Sequence, residues 1–254
     1  MKSLPDNSIP LTVTSPPYDS IRDYDGYSFD FPAIAEQLYR ITKLGGVVVW
    51  VVADGTIKGS ESGTSFRQAL GFLDIGFRLH DTMIYQKANP QPNNARRYEP
   101  SFEFMFVLSK GKPTTFNPLL LPCKMAGRIN AGTRRHDPKG VLEAKDGNGK
   151  PYKPTKPRPN IWTYAVGSFF HRSDPLCKLH PATFPLELAK DHISSWSNEG
   201  DLILDPMVGS GQTAIAAMQL GRKYIGFDCS QEYCDLAQKR LEWYREKKDL
   251  HPPR

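Results

Sequence analysis

The stretch that decides the fold is Asp201-Leu202-Ile203-Leu204-Asp205-Pro206-Met207-Val208-Gly209-Ser210-Gly211. Three branched apolar residues between two aspartates read as a short buried strand. Gly209-Ser210-Gly211 supplies a tight turn, because glycine tolerates positive φ. Gln212 to Leu220 reads as a helix, and Gly221 ends it. Strand, glycine turn and helix are the parts of a nucleotide-type site at the carboxyl edge of a parallel sheet. Lys223 to Phe227 reads as the next strand, with Asp228 at its end. An acid there is placed to accept hydrogen bonds from ribose hydroxyls. NAD enzymes share that geometry, so this half does not name a cofactor. There is no Gly-x-Gly-x-x-Gly and no Gly-Lys-Ser/Thr phosphate loop. The competing reading is a plain strand-to-helix turn; Asp205 and Asp228 on either side weigh against it.

At the other end of the chain, Ile9 to Thr14 reads as a second short buried strand, followed by Ser15-Pro16-Pro17-Tyr18. Two prolines fix φ and remove two backbone donors, and each holds the residue before it extended. The result is a stiff loop presenting carbonyls and the Ser15 hydroxyl as acceptors. A planar amine has two N–H donors and needs two acceptors, and Tyr18 offers a face for stacking. Aligning such an amine on an electrophile is catalysis by positioning. Taken alone, the motif reads equally well as an ordinary proline turn.

The two motifs together, in this order, resemble the bacterial and phage amino-methyltransferases of DNA, in the permuted beta group. In that family the Ser/Asp-Pro-Pro-Tyr segment comes first, a target-recognition region follows, and the S-adenosylmethionine glycine loop comes last. The resemblance covers nearly the whole chain except its variable middle. It implies Ser15, Pro16, Pro17 and Tyr18 as the catalytic segment. It implies Asp205, Pro206, Gly209, Ser210, Gly211 and Thr213 as cofactor-binding, with Asp228 on the ribose. His180-Pro181-Ala182-Thr183-Phe184-Pro185 is similar to the segment that helps hold the methionine part, which adds His180, Pro181 and Phe184. The implied reaction is methyl transfer to an exocyclic base amine, leaving S-adenosylhomocysteine. It involves no covalent enzyme intermediate and no metal. The target base is expected to be extruded from the duplex. Ser-Pro-Pro-Tyr tends to accompany cytosine-N4 in the family, with adenine-N6 the alternative. Other readings are a catalytically inactive DNA-binding module of this fold, and a protein or RNA amine methyltransferase. The latter usually carries its glycine loop first. A cognate restriction endonuclease is a possible partner under this resemblance, and the chain is expected to act as a monomer or homodimer.

One departure stands out. Family members begin further upstream, with a strand whose acid contacts the cofactor's adenine. Met1 to Ser8 resembles the tail of the helix after that segment. The sheet is therefore expected to lack one edge strand, and the adenine to be held by apolar and backbone groups.

Composition agrees with a globular enzyme: 254 residues suffice for a sizeable core, as one catalytic domain with an insertion. The expected division is residues 1–110 for the catalytic half, 111–179 for the target-recognition insertion and 180–254 for the cofactor half. Cys123, Cys177, Cys229 and Cys234 are scattered without a Cys-x-x-Cys pair. That favours a reducing cytoplasm over a disulfide framework or zinc site. No signal peptide or membrane span is evident. The formal charge is +6, yet Lys110 to Lys178 holds 14 Lys/Arg against 4 Asp/Glu, so the rest of the chain is slightly acidic. A concentrated basic segment is a footprint for phosphates, here double-stranded DNA. The candidate DNA-contacting residues are Arg96, Arg97, Arg128, Arg134, Arg135, Lys153, Lys156 and Arg158. The Gly, Pro and Asn content of the segment predicts an irregular, loop-rich insertion, while Trp162, Tyr164, Phe169 and Phe170 predict a packed end. Asn89 to Glu99 either lines the DNA cleft or is a surface loop, and Asp19, Arg22, Asp23 and Tyr24 either close over a base or form a structural turn.

The remaining periodicity predicts helices over Asp30–Lys43, Ser65–Leu73, Phe184–Trp196 and Gln231–Lys247. Val47–Val52 reads as a buried strand, and Leu79–Gln86 with Phe102–Leu108 as an antiparallel edge pair. The fold class is α/β: a permuted, Rossmann-like, mostly parallel sheet with helices on both faces. The permutation places Ser15 and Gly209 at the carboxyl ends of neighbouring central strands.

Overall fold

The computed structural model describes residues 1–18, 29–92, 96–130, 134–144, 149–166, 174–180 and 183–250. Asp19 to Tyr24, Phe169, Phe170 and Pro181 from the readings above lie outside them. The chain divides into two compact units, Met1–Asn117 with Asn160–Arg254, and Pro118–Pro159. The expected insertion, 111–179, therefore takes in residues of the first unit at both ends.

The first unit is built on a seven-stranded sheet. In chain order its strands are β1 (Ile9–Thr14), β2 (Thr42–Val52), β3 (Arg78–Lys87), β4 (Phe102–Ser109), β5 (Ile161–Tyr164), β6 (Leu202–Asp205) and β7 (Lys223–Gly226). Their order across the sheet is β5-β3-β4-β2-β1-β6-β7. β4 pairs antiparallel with both β2 and β3, and every other pairing is parallel. β1 and β6 are neighbours in the parallel core, Leu11 opposite Ile203 and Thr12 opposite Leu204. Among the described residues nothing pairs beyond β7. The opposite edge carries a strand that periodicity does not single out: β5 runs parallel to β3, so the β3–β4 pair is not an edge.

Helices α1 (Phe31–Ile41), α2 (Thr64–Ile75), α3 (Leu186–Trp196), α4 (Gln212–Gln219) and α5 (Gln231–Leu250) complete the unit. Side chains alternate across the buried strands. Val48, Trp50 and Val52 of β2 join Leu38, Ile41 and Phe72 of α1 and α2 in one apolar cluster. Trp50 is fully buried, and its indole N–H is satisfied by Gln68 Oε1 at 2.8 Å. On the other face Met105 Sδ meets His192 Nε2 of α3 at 3.2 Å.

Two expectations need correction. Helix α1 stops at Ile41, not Lys43, and β2 already begins at Thr42. The pairing of β1 with β2 jumps from Ile9–Thr42 to Leu11–Val47, so Lys43 to Gly46 bulge out beside Pro10, which has no N–H for the ladder. A side chain at Gly46 would meet the Pro10 carbonyl at 3.0 Å. Met1–Ser8 is a series of turns, not a helix tail. Arg40 holds it by donating to the Met1 and Leu4 carbonyls and pairing with Asp6.

The second unit is more regular than its composition predicts. Leu120–Pro122 pairs antiparallel with Thr155–Pro157, and Arg134–His136 with Leu142–Ala144. Between them, Arg128 and Asn130 exchange backbone hydrogen bonds with Tyr152 and Lys150. Among the described residues the unit is a ribbon of short antiparallel pairs, with Gly127, Gly140 and Gly149 at positive φ between or beside them.

A buried ion pair ties α5 to the first unit's interior. Arg240 donates through Nε (3.0 Å) and Nη2 to Asp174, and both side chains are at most 2% exposed. Asp174 also caps the 3-10 turn Pro175–Leu179. Removing one partner strands a buried charge, which typically costs about 3–5 kcal/mol. Arg240→Met is therefore expected to lower unfolding stability by that order in urea titration, and Arg240→Met with Asp174→Leu to recover most of it.

Candidate active site

β1 and β6 end side by side, and a direct bond joins their last residues. Thr14 Oγ1 donates to Asp205 Oδ1 at 2.7 Å, in full burial. The same carboxylate oxygen accepts the Met207 N–H at 3.1 Å. Asp205 Oδ2 is buried and meets no donor among the described residues. The Thr213 hydroxyl lies beside it but is given to the Val13 carbonyl at 3.1 Å. Burial pushes the Asp205 carboxyl up to about 6; the bonds from Thr14 and Met207 oppose that, and the nearby Asp228 charge adds to it.

The glycine turn is built as its sequence requires. Gly211 N–H bonds the Val208 carbonyl at 2.7 Å, and Val208 is anchored on Phe227 at 2.8 Å. Gly209 has φ +45°, and a Cβ there would meet His180 Nε2 at 2.8 Å. The His180 ring lies 4.4 Å from that of Tyr233, centroid to centroid. Arg240 reaches under the turn to the Ser210 carbonyl. Pro206 is buried and Phe184 half-buried, the latter just before α3 rather than within it. Asp228 accepts from Gly209 N–H (2.9 Å) and Ser230 N–H (3.1 Å), so it first of all closes the turn. A carboxylate has about four acceptor sites, which leaves capacity for a ribose hydroxyl. A cradle that a Cβ would fill, and a buried acid oxygen without a donor, suit a cofactor that carries an ammonium group. S-adenosylmethionine has one.

Beyond Thr14 the loop follows the sequence reading, with Pro16 buried and Ser15, Pro17 and Tyr18 half-buried. Its hydrogen bonds reveal a residue that sequence reasoning missed. Tyr18 Oη donates to Glu103 Oε2 at 2.7 Å and lies 3.1 Å from Ser15 Oγ. Glu103, the second residue of β4, lies opposite Tyr85 and pairs with Lys87 Nζ at 2.9 Å. Burial, then the Glu103 charge, raises the Tyr18 phenol well above its ordinary value, so it stays protonated. The usable signal was a lone carboxylate between Phe102 and Phe104 in an apolar strand.

The proposed DNA-contacting residues fall into two groups. Arg97 is tied to the Gly59 carbonyl and Glu61, and Arg96 is exposed beside it. Asn89 pins the start of that loop by exchanging bonds with the Val166 backbone, both at 2.8 Å. Arg128, Lys153 and Lys156 are exposed on the ribbon, and Arg158 is half-buried at its base. Arg134 and Arg135 lie on its Arg134–His136 strand. Trp162 and Tyr164 of β5 are buried, as expected. Among the described residues there is no metal-holding cluster, and no helix is long and apolar enough to cross a membrane.

Comparison with known proteins gives this geometry its family. A model described as DNA methylase, of the N6/N4 methyltransferase type, matches residues 9–239. The chain belongs to that family. It is 50% identical over 248 residues to the orphan methyltransferase M.BamHII of Bacillus amyloliquefaciens, covering 96% of this chain and 92% of the relative. In fold it is similar to the PvuII DNA methyltransferase, described as cytosine-N4-specific (TM-score 0.67, 20% identity, 99% of this chain and 89% of that one). It also resembles a putative DNA modification methylase of Thermus thermophilus solved with S-adenosyl-L-methionine (TM-score 0.63, 24% identity, 96% and 89%).

Asp205 generates a prediction about pH. Its folded pKa is raised from 3.8 to about 6. Its contribution to stability is therefore fully present below pH 3.8 and is lost as pH rises through 6. Two units correspond to about 3 kcal/mol. Asp205→Asn has no such loss. Its stability relative to wild type, from urea titrations at pH 4 and pH 7, is expected to improve by up to that amount on going to pH 7.

Proposed function

We propose that this DNA methylase transfers a methyl group from S-adenosylmethionine to the exocyclic N4 amine of cytosine in duplex DNA. The observation that carries the base assignment is Ser15. It is a small neutral acceptor at the head of the Pro-Pro-Tyr segment, one residue beyond the Thr14 that is bonded to Asp205. Adenine-N6 is the alternative that the family leaves open.

The cofactor, when bound, supplies an electrophilic methyl group. Asp205 would hold the ammonium of its methionine part, the Gly209-Ser210-Gly211 turn with His180 and Phe184 the rest of that part, and Asp228 its ribose. Ser15 and the Pro16 carbonyl would accept the two amine N–H bonds, which orients the nitrogen lone pair. Tyr18 would stack on the extruded base, its phenol held by Glu103. The reading needs no nucleophilic thiol, and Cys177 is buried, with its thiol pushed up by that burial. The ribbon residues Arg128, Arg134, Arg135, Lys153, Lys156 and Arg158 would meet phosphates. The orphan designation of the 50% identical relative favours a free-standing enzyme over one with a cognate endonuclease.

Incubation of the purified protein with cofactor and DNA, followed by nucleoside mass spectrometry, is expected to yield N4-methylcytosine. Ser15→Ala should cut turnover while cofactor binding stays near wild type. Methyladenine as sole product would overturn the cytosine assignment. The ribbon has its own test. Replacing Arg134 and Arg135 with Ala should flatten the dependence of log DNA affinity on log salt, by about 0.9 for each phosphate that the two arginines neutralise. An unchanged slope would remove these two from the interface.

A further inference from the structure

Four side chains from three strands' ends form one chain of hydrogen bonds. Lys87 Nζ contacts Glu103 Oε1 at 2.9 Å, Tyr18 Oη contacts Glu103 Oε2 at 2.7 Å, and Ser15 Oγ lies 3.1 Å from Tyr18 Oη. The direction of these bonds follows from proton counting. A carboxylate paired with lysine is acceptor only, so Tyr18 must give Glu103 its single proton. The phenol oxygen is then an acceptor only, and the Ser15 hydroxyl must donate to it. Ser15 has one proton, now committed, so the rest of its oxygen can only accept. An amine offers only N–H donors on that side.

We infer that Glu103 is a positioning residue that fixes Ser15 as a hydrogen-bond acceptor, acting through Tyr18. The inference rests on the proposed amine methylation and adds to it a residue outside the Ser-Pro-Pro-Tyr segment. Lys87 has a defined part, because it holds Glu103 by one oxygen and leaves the other to Tyr18. Glu103 and Lys87 are 13% and 19% exposed, so water competes weakly for these bonds.

The isosteric variant Glu103→Gln tests the direction rather than the presence of the chain. Lys87 can bond only the amide oxygen, which turns the NH2 toward Tyr18. The phenol must then accept from the amide and donate to Ser15. Ser15 loses an acceptor site and its own proton is turned loose toward the amine. Methyl-transfer assays are expected to show kcat down roughly ten- to a hundredfold, the scale of one misdirected buried hydrogen bond. Cofactor affinity by calorimetry and the melting temperature should stay near wild type. Tyr18→Phe cuts the relay, so in that background Glu103→Gln should have no further effect on kcat. A Glu103→Gln variant with wild-type kcat overturns the inference while leaving the methylation reading intact. So does an equal kcat loss in the presence and absence of the Tyr18 hydroxyl. If Glu103→Gln fails to fold, Tyr18→Phe alone decides: it is expected to lower kcat without changing cofactor affinity, and an unchanged kcat overturns the inference. A wild-type protein that methylates no DNA amine overturns both.

Discussion

The pairing of β1 with β6 is the constraint from which the site follows. The bond that closes it, Thr14 to Asp205, joins residues 191 positions apart. Every catalytic reading requires that the loop after Thr14 and the loop after Asp205 leave the sheet together, at the same height and in the same direction. Parallel pairing in register guarantees that, since neighbouring strand ends lie about 4.8 Å apart. The bond is charge-assisted and buried, so it outweighs an ordinary surface hydrogen bond. Thr213 adds a second tie, from the first turn of the helix after the glycine loop to the Val13 carbonyl. The geometry of both loops is thus set by the sheet, with strand pairing of high sequence separation and its slow closure as the cost.

Most of this was legible in the sequence because the central strands β1, β2 and β6 are buried on both faces. Buried strands write themselves as apolar runs, and helices as a period of 3.6. Ile9–Thr14 coincides with its strand, and the glycine turn and its helix differ from expectation by one residue. What could not be read has a common cause. β5 is four residues long, and only Trp162 and Tyr164 face inward, too short an alternation to separate from a loop. The ribbon is largely exposed, so no hydrophobic pattern marks its strands, and its ladder consists of backbone bonds indifferent to side-chain type. Glu103 escaped because its meaning lies in partners contributed by Ser15-Tyr18 and by the neighbouring strand, which no local window contains.

Asp228 shows a different kind of gap. Its position after β7 suggested an acceptor for ribose hydroxyls, but its partners in the structure are backbone N–H groups of Gly209 and Ser230. The same holds for Thr213, which spends its hydroxyl proton on Val13, and for Arg240, whose guanidinium serves Asp174 and the Ser210 carbonyl. In each case a polar residue near the glycine turn is committed to keeping that turn in shape. A motif therefore records two requirements at once, the contacts to a ligand and the scaffold that holds the contacts still. Spacing alone does not separate them.

Charge is arranged along the same division. The net charge of +6 conceals two opposite regions. At the strand ends the ionisable groups are mainly acids: Asp205, Asp228 and Glu103, with Lys87 balancing only the last. The basic residues are concentrated in the segment that contains the ribbon. A cofactor that is cationic at its sulfonium and ammonium is favoured where acids gather, and phosphates are favoured where lysine and arginine gather. Unit charges about 4 Å apart at an effective dielectric of about 20 interact by about 4 kcal/mol. Under the proposed reading an interaction of this size would matter for cofactor affinity, whereas the exposed ribbon would act mainly through counterion release. The two effects would then separate: cofactor affinity would follow the ionisation of Asp205, whose carboxyl is pushed up to about 6, and DNA affinity would follow ionic strength. Under that reading, duplex and cofactor would be recognised by side chains that do not compete for the same charge.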